Sequence, residues 1–297
     1  MMCKELNTAL ATLNDNKVKV KTESSYYDEA RDKEDMAAYY RAINFMAEDK
    51  SSLFKELSEL ITRTHTNQPS YDESRYKHLY LWVDLQKDGN IHSIYSGVVR
   101  EPEQLLQEDY ETEKKRGEAY EKLIGASSSP ADLQAAHELS ANIESEYKYN
   151  CEHVVPQSWF HKESPMRGDL HHLFACEPVC NSARSNHPYY DFPDYEPGSS
   201  MSIIRDSCGK YEGDRFEPES GKGAVARATL YFLLRYPGKI NQYSEEDIRV
   251  LLSWHRNFTV SPYEKHRNQA IFDVQHNRNP LIDYPQYADN IDFSLGI

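Results

Sequence analysis

Three short stretches, close together in the chain, limit what it can fold into. Asn150-Cys151-Glu152-His153-Val154-Val155-Pro156 reads as a short strand entering a proline-marked turn. Asp169-Leu170-His171-His172-Leu173-Phe174 alternates as a strand does. Pro178-Val179-Cys180-Asn181-Ser182-Ala183-Arg184-Ser185-Asn186 reads as a helix opened by its proline. Strand, loop, strand and helix in that order form a compact unit carrying a carboxylate, an imidazole, an amide and an arginine. Successive strand residues face opposite ways, so Glu152 and His153 should diverge. A twist or bulge before Pro156 would let both reach one phosphate-sized group.

The surrounding pattern is mainly helical. Apolar residues recur at helical spacing through Ala37, Ala38, Ala42, Ile43 and Met46, and again through Leu53, Leu57, Leu60 and Ile61. Residues 78–86 are aromatic and β-branched, and the turn Asp88-Gly89-Asn90 leads into an alternating run, which predicts a β-hairpin. Residues 101–124 predict a charged helix. Ser129-Pro130-Ala131-Asp132 is a helix start, with a hydroxyl cap, an early proline and an acid near the positive end. Residues 187–220 predict an ordered irregular stretch with short strands, followed by helices over 223–236, 247–258 and 263–275. Residues 1–25 carry no pattern and read as a flexible tail. The expectation is an α+β chain, mostly helical with small sheets, folding as one domain over 26–297 with its chemical core at about 149–187.

Composition narrows the function classes. The 297 residues carry a formal charge of −14, which argues against holding a polyanion through a broad cationic field. The deficit is uneven: residues 1–150 hold 19 basic against 28 acidic side chains, and 151–282 hold 15 against 17. The stretch with the chemistry is therefore nearly neutral. No apolar run approaches the roughly 18 residues of a membrane span. The first residues lack the charged start, apolar stretch and small-residue cleavage site of a signal peptide. Of five cysteines, Cys151, Cys176, Cys180 and Cys208 cluster around the core while Cys3 stands apart. A disulfide among the four and free thiols are both open readings.

Several separated segments resemble the bacterial endonuclease I family, a branch of the ββα-metal (His-Me finger) nucleases. They are EHVVPQSWF at 152–160, DLHHLF at 169–174, the N-x-x-R-S-N of 181–186, the K-G-x-x-A-R of 222–227 and the E-x-x-R-N-x-x-I-x-x-x-Q-x-N-R-N-P of 264–280. The turn Ile94-Tyr95-Ser96-Gly97 is similar to an early segment of the family. The resemblance implies a nuclease cutting DNA, with RNA as a further candidate, through backbone contacts, monomeric, and leaving 5′-phosphate ends. It also implies one bound divalent ion, Mg²⁺ with Mn²⁺ or Ca²⁺ as alternatives, and an exported protein. The competing class is a nucleic-acid-binding or scaffold protein that keeps the fold without the chemistry.

The residue types suit that chemistry. An imidazole with an ordinary pKa near 6.5 can take a proton from water at neutral pH, which makes His153 the candidate general base. Mg²⁺ retains most of its waters and needs few protein oxygens, which Glu152 and Asn181 would supply. Arg184, one turn beyond Asn181, is a candidate to clamp a phosphate or buttress a carboxylate. Arg167 is the one arginine in the loop between the motifs and a second candidate for the phosphate. His171 and His172 with Cys176 and Cys180 fit standard zinc spacing poorly. One of these histidines is instead expected to stand behind the site, with Asp169 positioning the loop. Lys222, Arg227, Arg267, Asn268, Gln275, Asn277 and Arg278 are expected to mix internal hydrogen bonds with DNA-backbone contacts. With so little net positive charge, binding to a non-cleavable duplex in Ca²⁺ should show a shallow log–log salt dependence, about −2 to −4 in slope. A slope steeper than about −6 would require an extended basic surface.

Overall fold

The computed structural model of the chain describes residues 2–126, 140, 142–144, 146–195 and 207–297. Its longer helices are α1 (Met2–Lys19), α2 (Glu29–Tyr39), α3 (Lys50–Thr64), α4 (Pro102–Ala126), α5 (Pro178–Arg184), α6 (Lys222–Arg235), α7 (Glu245–Asn257) and α8 (Pro262–Gln275). Six short strands, β1 (Ile91–His92), β2 (Val99–Arg100), β3 (Cys151–His153), β4 (Leu173–Ala175), β5 (Gly209–Glu212) and β6 (Arg215–Pro218), pair as three antiparallel two-stranded sheets. The architecture is α+β, as the pattern predicts. Among the described residues no helix is long and apolar enough to cross a membrane.

The centre of the molecule is α6. All its residues but Ala224 are buried, which is why its sequence is apolar all round rather than striped. It packs chiefly against α7 and α3. Capping boxes start α7 at Ser244 with Asp247 and α8 at Ser261 with Glu264, and Pro262 adds a proline in the first turn of α8.

The β3–β4 sheet lies between two apolar clusters. Cys151 pairs with Ala175 and His153 with Leu173, so these share one face; Cys151, Ala175 and Leu173 pack with Leu79, Tyr80 and Leu170. Glu152 pairs with Phe174 on the other face, where Phe174 packs with the cluster around α6. The alternation of the strand thus sends Glu152 and His153 into different surroundings.

Three expectations change. Residues 1–25 are not a loose tail: α1 buries Leu13, Val20 is also buried, and Asn16 Nδ2 donates to Leu81 O at 2.9 Å. Its stripe was hidden because polar residues dilute it. Residues 78–83 do not form the first arm of a hairpin, since Ser74–Val83 is a π-helix, and only Leu85, bridged antiparallel to Ile91, and Gln86 keep the expected arm. Leu79, Tyr80, Leu81 and Val83 are all buried, and an apolar run covered on every side has no period by which to tell strand from helix. The turn itself is correct, with Gly89 at φ 79° and Gln86 N donating to Asn90 O at 2.8 Å. The start of the helix expected at Ser129-Pro130 lies outside the described residues.

The basic residues near the C-terminus are also not free for DNA. Arg227 pairs with Glu264, Arg278 with Asp32 and Asp283, Lys222 with Glu217, and these three and Arg267 are buried. Asn268, Gln275 and Asn277 are buried as well. Arg267 matters most to the core. Its guanidinium pairs with Asp84 and donates to the carbonyls of Leu170 and Leu173, while Asp84 Oδ2 accepts Ala175 N at 2.7 Å. One buried ion pair therefore grips β4 and the turn before it. Arg267→Ala leaves Asp84 buried without its partner and should cost about 3–5 kcal/mol in urea unfolding. Arg256→Ala, removing an exposed pair with Asp289, should cost about 1 kcal/mol or less. Equal effects of the two substitutions would refute this view of what holds β4.

Candidate active site

Helix α5 is short, and its docking against β3 builds the site. Asn181 Nδ2 donates to Cys151 O at 2.9 Å, and Arg184 Nη2 donates to Val154 O at 2.6 Å. Asn181 and Arg184 are three residues apart on one helix face, and the carbonyls they reach bracket Glu152-His153. Cys180, next to Asn181, is joined to Cys208 by a disulfide, which ties α5 to the start of the β5–β6 hairpin. Cys151 and Cys176 are buried free thiols. Cys180 is thus committed elsewhere than to a zinc ligand set. Glu177, just before α5, accepts the hydroxyls of Ser93 and Ser96.

Glu152 is buried at 3% exposure. Its Oε1 accepts the Tyr95 hydroxyl at 2.7 Å and lies 3.6 Å from Arg184 Nη1. The second oxygen carries no side-chain hydrogen bond among the described residues. Burial pushes the carboxyl up to about 7, although Arg184 and Tyr95 oppose the shift. Its negative charge is therefore under-compensated. Asn181 spends its amide N–H on Cys151 O, and its carbonyl oxygen accepts no hydrogen bond among the described residues.

His153 sits across the strand from Glu152. Its Nε2 lies 2.9 Å from the main-chain oxygen of Arg167. A carbonyl can only accept, so Nε2 carries the proton and Nδ1 presents a lone pair. Burial, then the neighbouring His172, hold its pKa well below the ordinary histidine value, so the ring is neutral at physiological pH. Arg167 is half-buried, and its Nε donates to Gln157 Oε1 at 2.9 Å. Glu152, His153, Asn181 and Arg184 share one cleft of about 350 Å³, with Gln157 and Asn186 among its other walls. The fold thus brings Glu152, His153, Asn181 and Arg184 to one cleft, while Arg167, the fifth sequence candidate, is not among the residues lining it. It seals Arg184 at 0% exposure, in the buttressing position.

The loop between the strands is fastened from beneath by Asp169. Its carboxylate accepts His171 N at 3.0 Å, Gln275 Nε2 at 2.9 Å and the hydroxyls of Tyr231 and Tyr236, each at 2.9 Å. His172 Nε2 lies 2.6 Å from Met166 O, and its ring is 5.5 Å from that of His153. The expected positioning role of Asp169 and the place of His172 behind the site both agree with this geometry. Tyr95 and Tyr189 were missed. The sequence shows Tyr95 only as part of a serine- and glycine-bearing turn, and nothing local distinguishes it among 22 tyrosines.

This strand–strand–helix unit, with polar groups opening on a cleft, is the pattern to which the sequence motifs pointed. The family model for Endonuclease I matches residues 50–286, and the chain belongs to the endonuclease I family. Among curated relatives it is 34% identical over 176 residues to the extracellular ribonuclease of Bacillus amyloliquefaciens, an alignment spanning 53% of this chain and 58% of that protein. It is 33% identical over 162 residues to the extracellular ribonuclease of Bacillus subtilis (strain 168), covering 48% and 54%. To Endonuclease-1 of Buchnera aphidicola subsp. Baizongia pistaciae (strain Bp) it is 29% identical over 118 residues, covering 38% and 45%. The matched part of the chain spans about half the length of these relatives.

The buried histidines make stability depend on acidity. Burial lowers His171 from 6.5 to about 4. Between those values the unfolded chain binds a proton that the folded chain refuses, so stability is intact above about pH 6.5 and is lost as pH falls toward 4. This residue alone accounts for about 3 kcal/mol over that window. Urea midpoints should fall steadily from pH 7.5 to 4.5, and His171→Gln should show a shallower fall. Equal falls in the two proteins would contradict the burial argument; the comparison with His171→Gln decides, because Glu152, pushed up to about 7, acts in the opposite direction over the same window.

Proposed function

We propose that the chain is a divalent-metal-dependent endonuclease that hydrolyses DNA, with RNA as a second substrate class, with little sequence preference and leaving 5′-phosphate ends. The observation that carries this reading is the shared cleft, where a neutral imidazole with a free Nδ1 meets an under-compensated carboxylate and an amide oxygen. Membership of the endonuclease I family supports the reaction class. The relatives named as ribonucleases support RNA as a substrate.

Glu152 and Asn181 would hold the ion. Their oxygens are hard donors, and two of them suit Mg²⁺, which keeps several waters. Bound there, it supplies charge stabilisation to the phosphate and the departing 3′-oxygen. His153 Nδ1 takes the proton of the attacking water as the new phosphorus–oxygen bond forms and the bond to the 3′-oxygen breaks. Solvent returns a proton to the 3′-oxygen. Arg167 does not line the cleft but donates to Gln157, which does, and from there its remaining guanidinium N–H groups are assigned to the incoming phosphate. Arg184 opposes protonation of Glu152 and holds the turn at Val154. Recognition through the phosphate backbone gives little sequence preference.

Purified protein should nick plasmid and degrade RNA in Mg²⁺, stop in EDTA and recover when Mg²⁺ is restored. A chain that binds nucleic acid but never cuts it across Mg²⁺, Mn²⁺ and Ca²⁺ would favour the scaffold reading instead. His153→Ala should lower turnover by at least about 100-fold with metal affinity unchanged, measured below a thermal midpoint that falls because the buried ring is lost. Near-normal turnover in that variant would remove His153 as the base. Glu152→Gln and Asn181→Ala should raise the metal concentration for half-maximal activity before they lower the maximum. Unchanged metal binding in both variants, with activity that excess metal does not repair, would place the ion elsewhere.

A further inference from the structure

Glu152 has two carboxylate oxygens, and the fold occupies one of them from a distant part of the chain. Tyr95 Oη lies 2.7 Å from Glu152 Oε1 and 2.7 Å from Tyr189 Oη, and all three side chains are buried. An ionised carboxylate only accepts, so the Tyr95 hydroxyl donates to it and its oxygen is left to accept from Tyr189. The other acceptor near Tyr189, Val154 O, is farther at 3.3 Å and already takes Arg184. The hydrogen bonds therefore run in one direction, from Tyr189 to Tyr95 to Glu152.

The turn that carries Tyr95 is tied to β4, to the residue before α5 and to the stretch after β6. Ile94 N donates to Ala175 O on β4 at 3.0 Å, and Ser220 N donates to Tyr95 O at 2.8 Å. Ser93 and Ser96 on the same turn donate to Glu177, next to the helix that carries Asn181. The ring stands edge-on to Phe216 at 5.1 Å. A tyrosine merely satisfying its hydroxyl would need none of these tethers. Their effect is to fix one point in space, the atom that faces Glu152 Oε1.

We propose that Tyr95 is the positioning residue of the metal-holding carboxylate: it fixes Oε1 and leaves the second oxygen of Glu152 for the ion, with Tyr189 keeping the Tyr95 hydroxyl turned toward it. The proposal rests on Glu152 being a ligand, as assigned above. Groups that orient a ligand from behind contribute to metal affinity even though they never touch the ion.

The test is calorimetric titration of Mn²⁺ into the intact protein and into Tyr95→Phe, Glu152→Gln and the double variant. Tyr95→Phe keeps the ring and its packing and should weaken Mn²⁺ binding by about tenfold, with thermal midpoint little changed. The double variant should bind no worse than Glu152→Gln alone, because Tyr95 acts through that carboxylate. Tyr189→Phe, one step back along the chain, should lose affinity in the same direction and by less. Should Tyr95→Phe fold poorly, Tyr189→Phe and its own double variant with Glu152→Gln carry the same test. Wild-type Mn²⁺ affinity in a folded Tyr95→Phe, or losses that add in the double variant, would overturn the proposal while leaving Glu152 as a ligand. If Glu152→Gln itself binds Mn²⁺ normally, the ligand assignment falls first and Tyr95 with it.

Discussion

The site depends on the two side-chain hydrogen bonds by which α5 grips β3. Asn181 and Arg184 reach the carbonyls of Cys151 and Val154, on either side of Glu152-His153. A three-residue strand has too few ladder bonds to hold its own position. Each grip also assigns a chemical role: Asn181 gives up its N–H and keeps its oxygen, and Arg184 brings a fixed positive charge to 3.6 Å from Glu152. Docking of the helix and placement of these groups beside Glu152 are one event.

Buried cations fasten other parts of the scaffold in the same way. Arg75, Arg184, Arg227, Arg267 and Arg278 are among the largest fully buried side chains. Arg75 pairs with Asp109, whose carboxylate also accepts Asn150 N just before β3. Arg267 holds β4 through Asp84. These cations fasten the scaffold from inside, and breaking such pairs is far more costly than breaking exposed ones.

Much of the site was legible in the order of residues. Glu152, His153, Asn181 and Arg184 lie within one strand–loop–strand–helix stretch, where local spacing controls which groups come together. The helices α6, α7 and α8 were legible too, because their apolar spacing is a local signal. The role of Asp169 was read in outline, but not its partners Tyr231, Tyr236 and Gln275, which come from far along the chain.

By itself the sequence determined the chemical inventory and the family, because covalent spacing fixes which groups can share a short motif. Tertiary structure decided three other matters. It made 74–83 a helix, since burial on all sides erases the periodicity that separates helix from strand. It turned the C-terminal arginines inward, since only packing reveals whether a carboxylate waits inside. It also brought Tyr95 to Glu152 across 57 positions of chain, a contact set by the path of the backbone and by no local pattern.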